Sequence, residues 1–350
     1  MADENWIIEL KKRWGERLLI GEPLARHTSF RIGGPAQALI VVEAVDELCE
    51  VVLWAREREV PHYVVGQGTN LLIADVGLPG VVIVNRCAGW EWEETSAGVA
   101  VRVEAGHSLA ALAHRACEAG WSGLEWAAGL PGTVGGAVVG NAGAFGRDIS
   151  DALVRAIVLD PEGRSLTMSR DELGFGYRTS RFKEEGRTGC RGHVILSAEL
   201  ALARGERERV MEAAAEVMRL RRDSQPIGQL CAGSVFKNPE RDYAGRLIEA
   251  VNLKGARCGG AQVSPRHANF IVNLGTATAQ DVLDLIELVR TRVREQCRQE
   301  LDLEIECWGL QAQALCAEPK RKAGEDESET RTRRGRTVWS FLRHVPGGPG

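Results

Sequence analysis

Several classes of protein are excluded by what this 350-residue sequence lacks. It has nine cysteines, an odd number, and no two of them form a C-x-x-C pair. Neither a zinc site nor a disulfide framework is therefore predicted. We expect no bound metal and reduced thiols, as is usual for a cytoplasmic protein.

The sequence also lacks a basic excess, a signal peptide and a membrane-spanning segment. Its formal net charge of −4 argues against nucleic acid as the main partner, because phosphate binding needs a basic surface. The N-terminal stretch has no basic start followed by an apolar core. No run reaches the roughly 18 apolar residues that cross a membrane. We expect a cytoplasmic protein without membrane insertion, and a monomer is our working hypothesis.

Two glycine-rich stretches stand out. The longer one, GLPGTVGGAVVGNAG from Gly129 to Gly143, contains six glycines and no charge, and the shorter one runs from Gly66 to Asn70. Glycine permits positive φ and close approach of the backbone to another group, so exposed N–H groups there can bind a pyrophosphate. Two such loops indicate the two sides of a dinucleotide site. The alternative for each is a tightly packed turn.

The pattern of apolar residues predicts a mixture of helices and strands. The shorter glycine loop does not open a helix with G-x-G-x-x-G, so a Rossmann domain is not predicted. Predicted helices cover Glu4–Leu19, Leu109–Ala119 with Ser108 as N-cap, Glu206–Arg222, Ala244–Ala250 and Ala279–Gln299. The helix Glu206–Arg222 is expected to be exposed and to separate two domains. A last strand is predicted over Leu301–Trp308.

The composition changes from Glu318 onward, where charges of both signs mix with Ser, Thr, Gly and Pro. This pattern predicts a disordered tail. A basic cluster between Arg331 and Arg336 could instead meet an acidic partner.

Three further segments carry residues suited to chemistry. The segment Tyr177–Lys183 holds three cations and can anchor a carboxylate, or it is a solvated strand end. The segment Gly233–Pro239 contains Ser234, which lacks a nearby base and suits donation of a proton to a carbanion better than nucleophilic attack; a turn serine is the alternative. Strand alternation places Glu304 and Glu306 on one face, where they meet either a ligand or water.

With these residues in view, the chain resembles the UDP-N-acetylenolpyruvoylglucosamine reductases (UDP-N-acetylmuramate dehydrogenases). The similarity runs from about His27 to Gly309. It rests on seven motifs in the family's order: HTSFRIGGPA, VVGQGTNLLIAD, GLPGTVGGAVVGNAGAFG, FGYRTSRFK, AGSVFKNP, AGRLIEAVNLKG and HANFIVN.

The resemblance implies an α+β fold with an FAD-binding domain of the vanillyl-alcohol-oxidase (PCMH) type. We expect an N-terminal helix (1–25), this FAD-binding domain (26–204, with lobes of about 26–85 and 86–204), a substrate-binding α+β domain (205–310) and the tail (311–350). FAD would lie against both glycine loops, at Gly66, Gln67, Gly68, Thr69, Asn70, Leu71, Gly129, Pro131, Gly132, Thr133, Gly135, Gly136, Ala142 and Gly143. Because Gly66–Asn70 has no His or Cys, the FAD is expected to be non-covalent.

The activity that the resemblance implies is reduction of UDP-N-acetylglucosamine enolpyruvate by NADPH through FAD, in peptidoglycan precursor synthesis. Cell-wall biogenesis, cell shape and cell division depend on this pathway. By matching motifs, Arg178, Ser234 and Glu304 are the expected catalytic residues, with Ser234 as proton donor. Tyr177, Lys237 and Asn238 match the family's substrate contacts.

Two departures and two alternatives remain from the sequence. The last motif reads LDLEIECWG, where the family usually has a Glu at position 302 and an Arg at 306, so the choice between Glu304 and Glu306 is open. The short segment between Arg178 and Ser234 resembles the second type of the family, without the extra substrate loop. The alternatives are a related flavin oxidoreductase acting on another sugar or alcohol, and a non-catalytic flavin-binding protein.

Overall fold

A computed structural model describes residues 5–186 and 192–310, and all of them belong to one compact unit. The expectations for the tail from residue 311, including its basic cluster, lie outside these residues. Within them the fold mixes helices and sheets, as the predicted α+β class requires.

The first part of the chain forms a mixed four-stranded sheet. Its elements are α1 (Asn5–Trp14), β1 (Leu18–Ile20), β2 (Ala36–Val42), α2 (Val45–Glu57), β3 (His62–Val65), β4 (Leu71–Ile73) and β5 (Leu78–Asn85). The sheet has the order β1-β2-β5-β3, with β1 antiparallel to β2 and the other pairs parallel. The central strands β2 and β5 are apolar because both of their faces are covered.

The second part forms an antiparallel sheet with the main order β12-β11-β13-β7-β6. Its elements are β6 (Trp90–Thr95), β7 (Gly98–Glu104), α3 (Leu109–Glu118), β8 (Trp121–Ser122), α4 (Val134–Gly140), β9 (Gly143–Ala144), β10 (Arg147–Asp148), β11 (Leu153–Leu159), β12 (Ser165–Ser169), α5 (Arg181–Gly186) and β13 (Val194–Arg204). Strand β8 pairs with the end of β13. Helices α3 and α4 supply core residues that pack with those of this sheet.

The third part is more helical. Its elements are α6 (Arg207–Ser224), α7 (Ala244–Ala250), β14 (Arg257–Cys258), β15 (Ala261–Val263), β16 (Ile271–Asn273), α8 (Ala279–Cys297) and β17 (Glu306–Trp308). Strands β14, β15 and β16 form a small antiparallel sheet. Strand β17 instead pairs in parallel with β4 of the first part.

Most predicted helices are present with small changes at their ends. Ser108 is the N-cap of α3, as predicted, and accepts a hydrogen bond from the Ala111 N–H. The first helix was predicted too long, because it ends at Trp14 and Leu18 already belongs to β1. The last strand was also predicted too long, since only Glu306–Trp308 finds a partner strand.

The prediction that the helix after β13 is exposed is wrong in one respect. Helix α6 buries Val210, Ala214 and Arg221, and its first two buried residues pack against Cys117 and Ala128. Its role as a domain separator remains a prediction. Among the described residues, no helix is both long and apolar enough to cross a membrane.

Candidate active site

The two glycine loops lie against each other. Gly132 donates its N–H to Gln67 Oε1 at 3.0 Å, and Thr69 Oγ1 donates to the Pro131 carbonyl at 3.4 Å. A Cβ atom on Gly66 would lie 2.3 Å from Thr133 Oγ1. Only glycine therefore allows this approach, and the structure brings together the two stretches that the sequence suggested as one site.

The shorter loop leaves backbone donors unused. Gly68 has φ +62°, and a Cβ there would lie 2.2 Å from the His27 carbonyl oxygen. Within residues 5–186 and 192–310, the N–H groups of Gly68 and Thr69 donate no hydrogen bond. Two adjacent free donors suit an anionic or carbonyl ligand.

The longer stretch is partly helical, which its glycine content had not indicated. Thr133 is the N-cap of α4 and accepts from the Gly136 N–H at 3.2 Å. Gly135 packs on Ala105 and donates its N–H to the Ala105 carbonyl, so it serves the fold directly.

The remaining predicted cofactor residues occupy varied places around this stretch. Gly129 has φ +69° and packs beside Met218, Ala142 follows α4 and donates to the Ala137 carbonyl, and Leu71 is buried in β4. Gly143 begins β9, where the Arg147 carbonyl leaves no space for a Cβ.

Arg178 connects the end of the glycine stretch to the last part of the chain. Its Nε donates to Glu304 Oε1 at 2.8 Å, and its Nη2 donates to the Gly143 carbonyl at 2.5 Å. The backbone of Arg178 adopts φ +56°, which is uncommon for a residue with a side chain. Such strain persists where surrounding contacts fix it, often at functional sites.

Glu304 is held from both sides. Its side chain is 19% exposed, its N–H donates to the Val235 carbonyl, and its carbonyl accepts from Asn70 Nδ2 at 3.1 Å. Burial raises the pKa of the Glu304 carboxyl, and the charges of Arg178, Lys183 and Lys237 oppose this rise without cancelling it. Arg178 pairs with Glu304 and not with Glu306 among the ion pairs of the described residues.

Ser234 lies beside Glu304 in the fold, because its neighbour Val235 accepts the Glu304 N–H. The residue is half-buried, and no residue in the described ranges forms a hydrogen bond with its Oγ. The buried Asn269 fixes the adjoining backbone by accepting from Phe236 N at 3.0 Å and donating to Phe236 O at 2.8 Å. The hydroxyl is thus free while its backbone is held.

The three residues predicted to contact the substrate are exposed or half-buried. The Tyr177 hydroxyl accepts from the Asn238 N–H at 3.3 Å, and Asn238 Oδ1 accepts from the Ala244 N–H at the start of α7. Tyr177 is 53% exposed. Lys237 is half-buried, and its charge acts on Glu304.

Two neighbouring cations were not predicted as individual site residues, although Lys183 belongs to the segment Tyr177–Lys183 that was expected to anchor a carboxylate. Lys183, whose side chain is 6% exposed, donates to the Glu304 carbonyl at 3.2 Å and lies 3.8 Å from Glu306 Oε1. Its place in the motif FGYRTSRFK was the available signal. Arg221 is buried in α6, and nothing in a charged helical sequence distinguished it from its exposed neighbours.

These features fit a bound FAD. The glycine approach at Gly66 and the free N–H groups of Gly68 and Thr69 suit a pyrophosphate or carbonyl group. The buried Nε of Arg221 also has no hydrogen-bond partner among residues 5–186 and 192–310, which suits a ligand acceptor. No group of three or more metal-ligating side chains occurs among the described residues.

Comparisons with known proteins give the family. Residues 36–169 match the model of an FAD binding domain, and residues 225–308 match that of the C-terminal domain of UDP-N-acetylenolpyruvoylglucosamine reductase. The UDP-N-acetylenolpyruvoylglucosamine reductase of Bacillus velezensis is 44% identical over 309 residues, covering 87% of this chain and 99% of that protein. The reductase of Bacillus subtilis is 41% identical over 306 residues, with the same coverage.

A solved structure agrees. The crystal structure of UDP-N-acetylenolpyruvylglucosamine reductase from Thermus caldophilus matches with a TM-score of 0.68 and 38% identity, over 83% of this chain and 98% of that chain. The predicted fold class is confirmed as an α+β protein with an FAD-binding domain and a C-terminal domain, and the vanillyl-alcohol-oxidase type of the FAD-binding domain stays a prediction. The chain belongs to the UDP-N-acetylenolpyruvoylglucosamine reductase family.

Proposed function

We propose that the protein reduces the enolpyruvyl group of UDP-N-acetylglucosamine enolpyruvate to UDP-N-acetylmuramate, with NADPH as reductant and FAD as cofactor. One observation carries the proposal. The Arg178–Glu304 pair, the backbone of the Ser234 segment and the end of the glycine stretch meet at one place. An anion holder and a free hydroxyl beside a flavin site are what this reduction needs.

When bound, FAD would supply the redox chemistry, which is the transfer of a hydride from NADPH to the terminal enolpyruvyl carbon. The residues of the glycine loops would hold this cofactor. The unused N–H groups of Gly68 and Thr69 would bind its pyrophosphate, and Gly66 would keep the two loops close enough to enclose it.

Arg178 and Glu304 act on the substrate carboxylate. Arg178 binds it through the guanidinium, which is preorganised by its bond to the Gly143 carbonyl. Negative charge develops on this carboxylate as hydride reaches the terminal carbon, and a fixed cation stabilises it. Glu304 with its raised pKa is protonated more readily than an exposed glutamate, and in that form it donates a hydrogen bond instead of repelling the carboxylate.

Ser234 completes the reaction. Its Oγ gives a proton to the carbon next to the carboxylate, where the electron pair of the former double bond resides. The strongly basic carbanion compensates for the weak acidity of the hydroxyl. The proton is later regained from water.

The outer residues hold the nucleotide end of the substrate. Lys237 binds the diphosphate as a point charge, and Tyr177 and Asn238 form the adjoining polar wall. We further propose that the protein acts in the cytoplasm, because nucleotide sugars and NADPH are made there. We also propose that it is a monomer and that its partner is a small molecule. Through peptidoglycan synthesis its activity would support cell shape and division.

An anaerobic absorbance experiment tests the proposal. NADPH should bleach the flavin of the purified protein, and subsequent addition of UDP-N-acetylglucosamine enolpyruvate should restore the colour. Bleaching without recovery would mean that the acceptor is another molecule. A protein that takes up no FAD would contradict the interpretation of both glycine loops.

A further inference from the structure

Lys183 is a buried lysine that contacts the backbone of Glu304. Its side chain is 6% exposed, and its Nζ donates to the Glu304 carbonyl at 3.2 Å. The same Nζ lies 3.8 Å from Oε1 of Glu306. Moving a lysine out of water is costly unless its charge is paired and its protons are hydrogen-bonded. Because a methionine would fill the same space without that cost, the charged group is expected to have a specific role here.

Lys183 and Arg178 belong to one short segment whose backbone is fixed. The hydroxyl of the buried Ser180 donates to the Val139 carbonyl in α4 at 2.7 Å, and the Lys183 N–H donates to the Ser180 carbonyl at 3.1 Å. Arg178 Nε donates to the Glu304 carboxyl at 2.8 Å. This one segment therefore holds Glu304 at two points, the carboxyl through Arg178 and the backbone through Lys183.

The Glu304 carbonyl has a second donor, which comes from the shorter glycine loop. It accepts from Asn70 Nδ2 at 3.1 Å, and the Asn70 carbonyl in turn accepts the Glu306 N–H at 2.8 Å. A carbonyl oxygen has two lone pairs, and Asn70 and Lys183 use both. A hydrogen bond from a charged donor is roughly twice as strong as one between neutral groups. Of the two donors, Lys183 therefore contributes more to fixing the position of Glu304.

We propose that Lys183 is a positioning residue for the reduction, because its bond to the Glu304 carbonyl keeps the Glu304 carboxyl beside Arg178, where both groups meet the substrate carboxylate. Lys183 acts through Glu304 and need not touch the substrate. This inference rests on the proposed function, since it takes Glu304 and Arg178 to act on that carboxylate. A displacement of about 1 Å in such a group can slow a reaction by about 10²-fold. A small movement of this backbone would therefore be seen in the rate.

The charge of Lys183 has a second, measurable effect on Glu304. The cations Arg178, Lys183 and Lys237 oppose the rise that burial causes in the pKa of Glu304, and Glu306 is the neighbouring carboxylate, two residues further along the chain. Without the Lys183 charge, burial is opposed less, and the pKa of Glu304 rises further. The neutral form of Glu304 then persists to higher pH, which moves the alkaline fall in turnover to higher pH as well.

The test compares three holoprotein variants with the wild type. Lys183→Met removes the charge and the donor at similar length, Lys183→Arg keeps both, and Lys254→Met is the matched control. Lys254 also pairs with a carboxylate, Glu249 Oε2 at 2.9 Å, and it is not among the expected cofactor or substrate residues. Stopped-flow absorbance measures reduction by NADPH and reoxidation by UDP-N-acetylglucosamine enolpyruvate over a range of pH. The pKa of Glu304 is followed without substrate, from the infrared absorption of its protonated carboxyl group, which is assigned by its absence in Glu304→Gln.

We expect Lys183→Met to slow reoxidation by about 10–10²-fold, to leave reduction by NADPH nearly unchanged, and to raise the pKa of Glu304. Lys183→Arg should restore the pKa of Glu304 and most of the reoxidation rate, and Lys254→Met should match the wild type. Equal slowing of both half-reactions in Lys183→Met, with an unchanged pKa of Glu304, would overturn the inference. Lys183 would then be a purely structural residue.

Lys183→Gln is a second variant, for use if Lys183→Met does not fold. It keeps a neutral donor of shorter reach, and the same rise in the pKa of Glu304 is expected because the charge is lost. The infrared titration needs no substrate, so the two proposals can fail separately. A wild-type protein that NADPH reduces but the enolpyruvate does not reoxidise would contradict the proposed function. A pKa of Glu304 that is the same in the wild type and in Lys183→Gln would overturn the role of Lys183.

Discussion

At the scale of single residues, the proposed mechanism depends on the carboxyl group of Glu304. It pairs with Arg178 in the free protein and would lie beside the substrate carboxylate in the complex. Glu304 balances Arg178 in the free protein, where a lone buried guanidinium would be unfavourable. In the proposed function, the substrate carboxylate would bind Arg178 in place of Glu304, which requires that Glu304 does not repel it. The raised pKa of Glu304 provides for this, because burial already favours its neutral form.

Ser234→Ala separates the two half-reactions. We expect the variant to bind FAD and be reduced by NADPH at nearly the wild-type rate, because Ser234 Oγ forms no hydrogen bond with a described residue. Reoxidation by substrate should slow by about 10²–10⁴-fold, the usual contribution of a positioned proton donor. Stopped-flow absorbance measures both steps. Full retention of reoxidation would rule out Ser234 as the donor.

The pH dependence distinguishes Glu304 from Glu306. Since the pKa of Glu304 is raised, its neutral form persists to higher pH than that of an ordinary glutamate and is lost as pH rises through the raised pKa. We expect turnover to fall on that alkaline side, and Glu304→Gln, which cannot ionise, to lower turnover by about 10–10³-fold and flatten this limb. Glu306→Gln, the matched control, should keep the wild-type profile. Loss of turnover in Glu306→Gln alone would move the working carboxylate to position 306.

At the scale of elements, sequence reasoning succeeded where a local rule decides the outcome. The bounds of Ala244–Ala250 and the Ser108 cap follow from apolar periodicity and capping chemistry, both contained within a few residues. Helix α4 was missed because its glycines disfavour a helix, and only close packing on distant backbone, such as Gly135 on Ala105 just after β7, makes them useful. The burial of Arg221 likewise depends on Trp126, which is distant in sequence.

Gly66→Ala tests the contact between the loops. The new Cβ would lie 2.3 Å from Thr133 Oγ1, so the loops must separate and FAD affinity should fall by at least tenfold. Gly140→Ala is the control, because a Cβ there meets nothing within 4 Å and should be neutral or stabilise α4 by about 0.5–1 kcal/mol. Fluorescence titration of apoprotein with FAD measures both. Equal affinities would contradict the placement of FAD at Gly66.

Asn269→Leu tests whether Asn269 holds the backbone next to Ser234, the proposed proton donor, in place. The change leaves the N–H and carbonyl of Phe236 without their side-chain partner, which should lower the free energy of unfolding by about 1–3 kcal/mol. Reoxidation by substrate should slow because Ser234 loses its fixed position, while reduction by NADPH should persist. Gln229→Leu removes an exposed amide and should change neither. Equal slowing of both half-reactions would indicate a general structural effect.

At the scale of the whole molecule, distant parts of the chain share hydrogen bonds near the site. Strand β17 pairs in parallel with β4, and the Ala74 N–H donates to the Trp308 carbonyl. Ser29 Oγ donates to the Cys231 carbonyl at 2.7 Å, and Asn273 Nδ2 donates to the Phe30 carbonyl at 2.9 Å. Residues that would bind FAD and residues that would bind substrate are thereby fixed to each other.

Asp75 offers a test of this coupling. Its carboxylate accepts from the N–H groups of Ala279 and Gln280, at 2.9 and 3.4 Å, and so caps α8 from the first part of the chain. Asp75→Ala should lower the free energy of unfolding by about 1–2 kcal/mol. Asp46→Ala, in the first turn of α2 and without such a bond, should lower it by only about 0.3–1 kcal/mol.

The number of unfolding transitions tests whether the two parts of the chain unfold together. The predicted boundary near residue 204 separates two domains along the chain, yet β17 crosses it to pair with β4. If such contacts couple the two parts, Asp75→Ala should shift one cooperative transition in calorimetry and denaturant melts, and added FAD should raise its midpoint by mass action. Two separated transitions in the variant would show that the C-terminal part folds on its own, with Asp75 joining two independent domains.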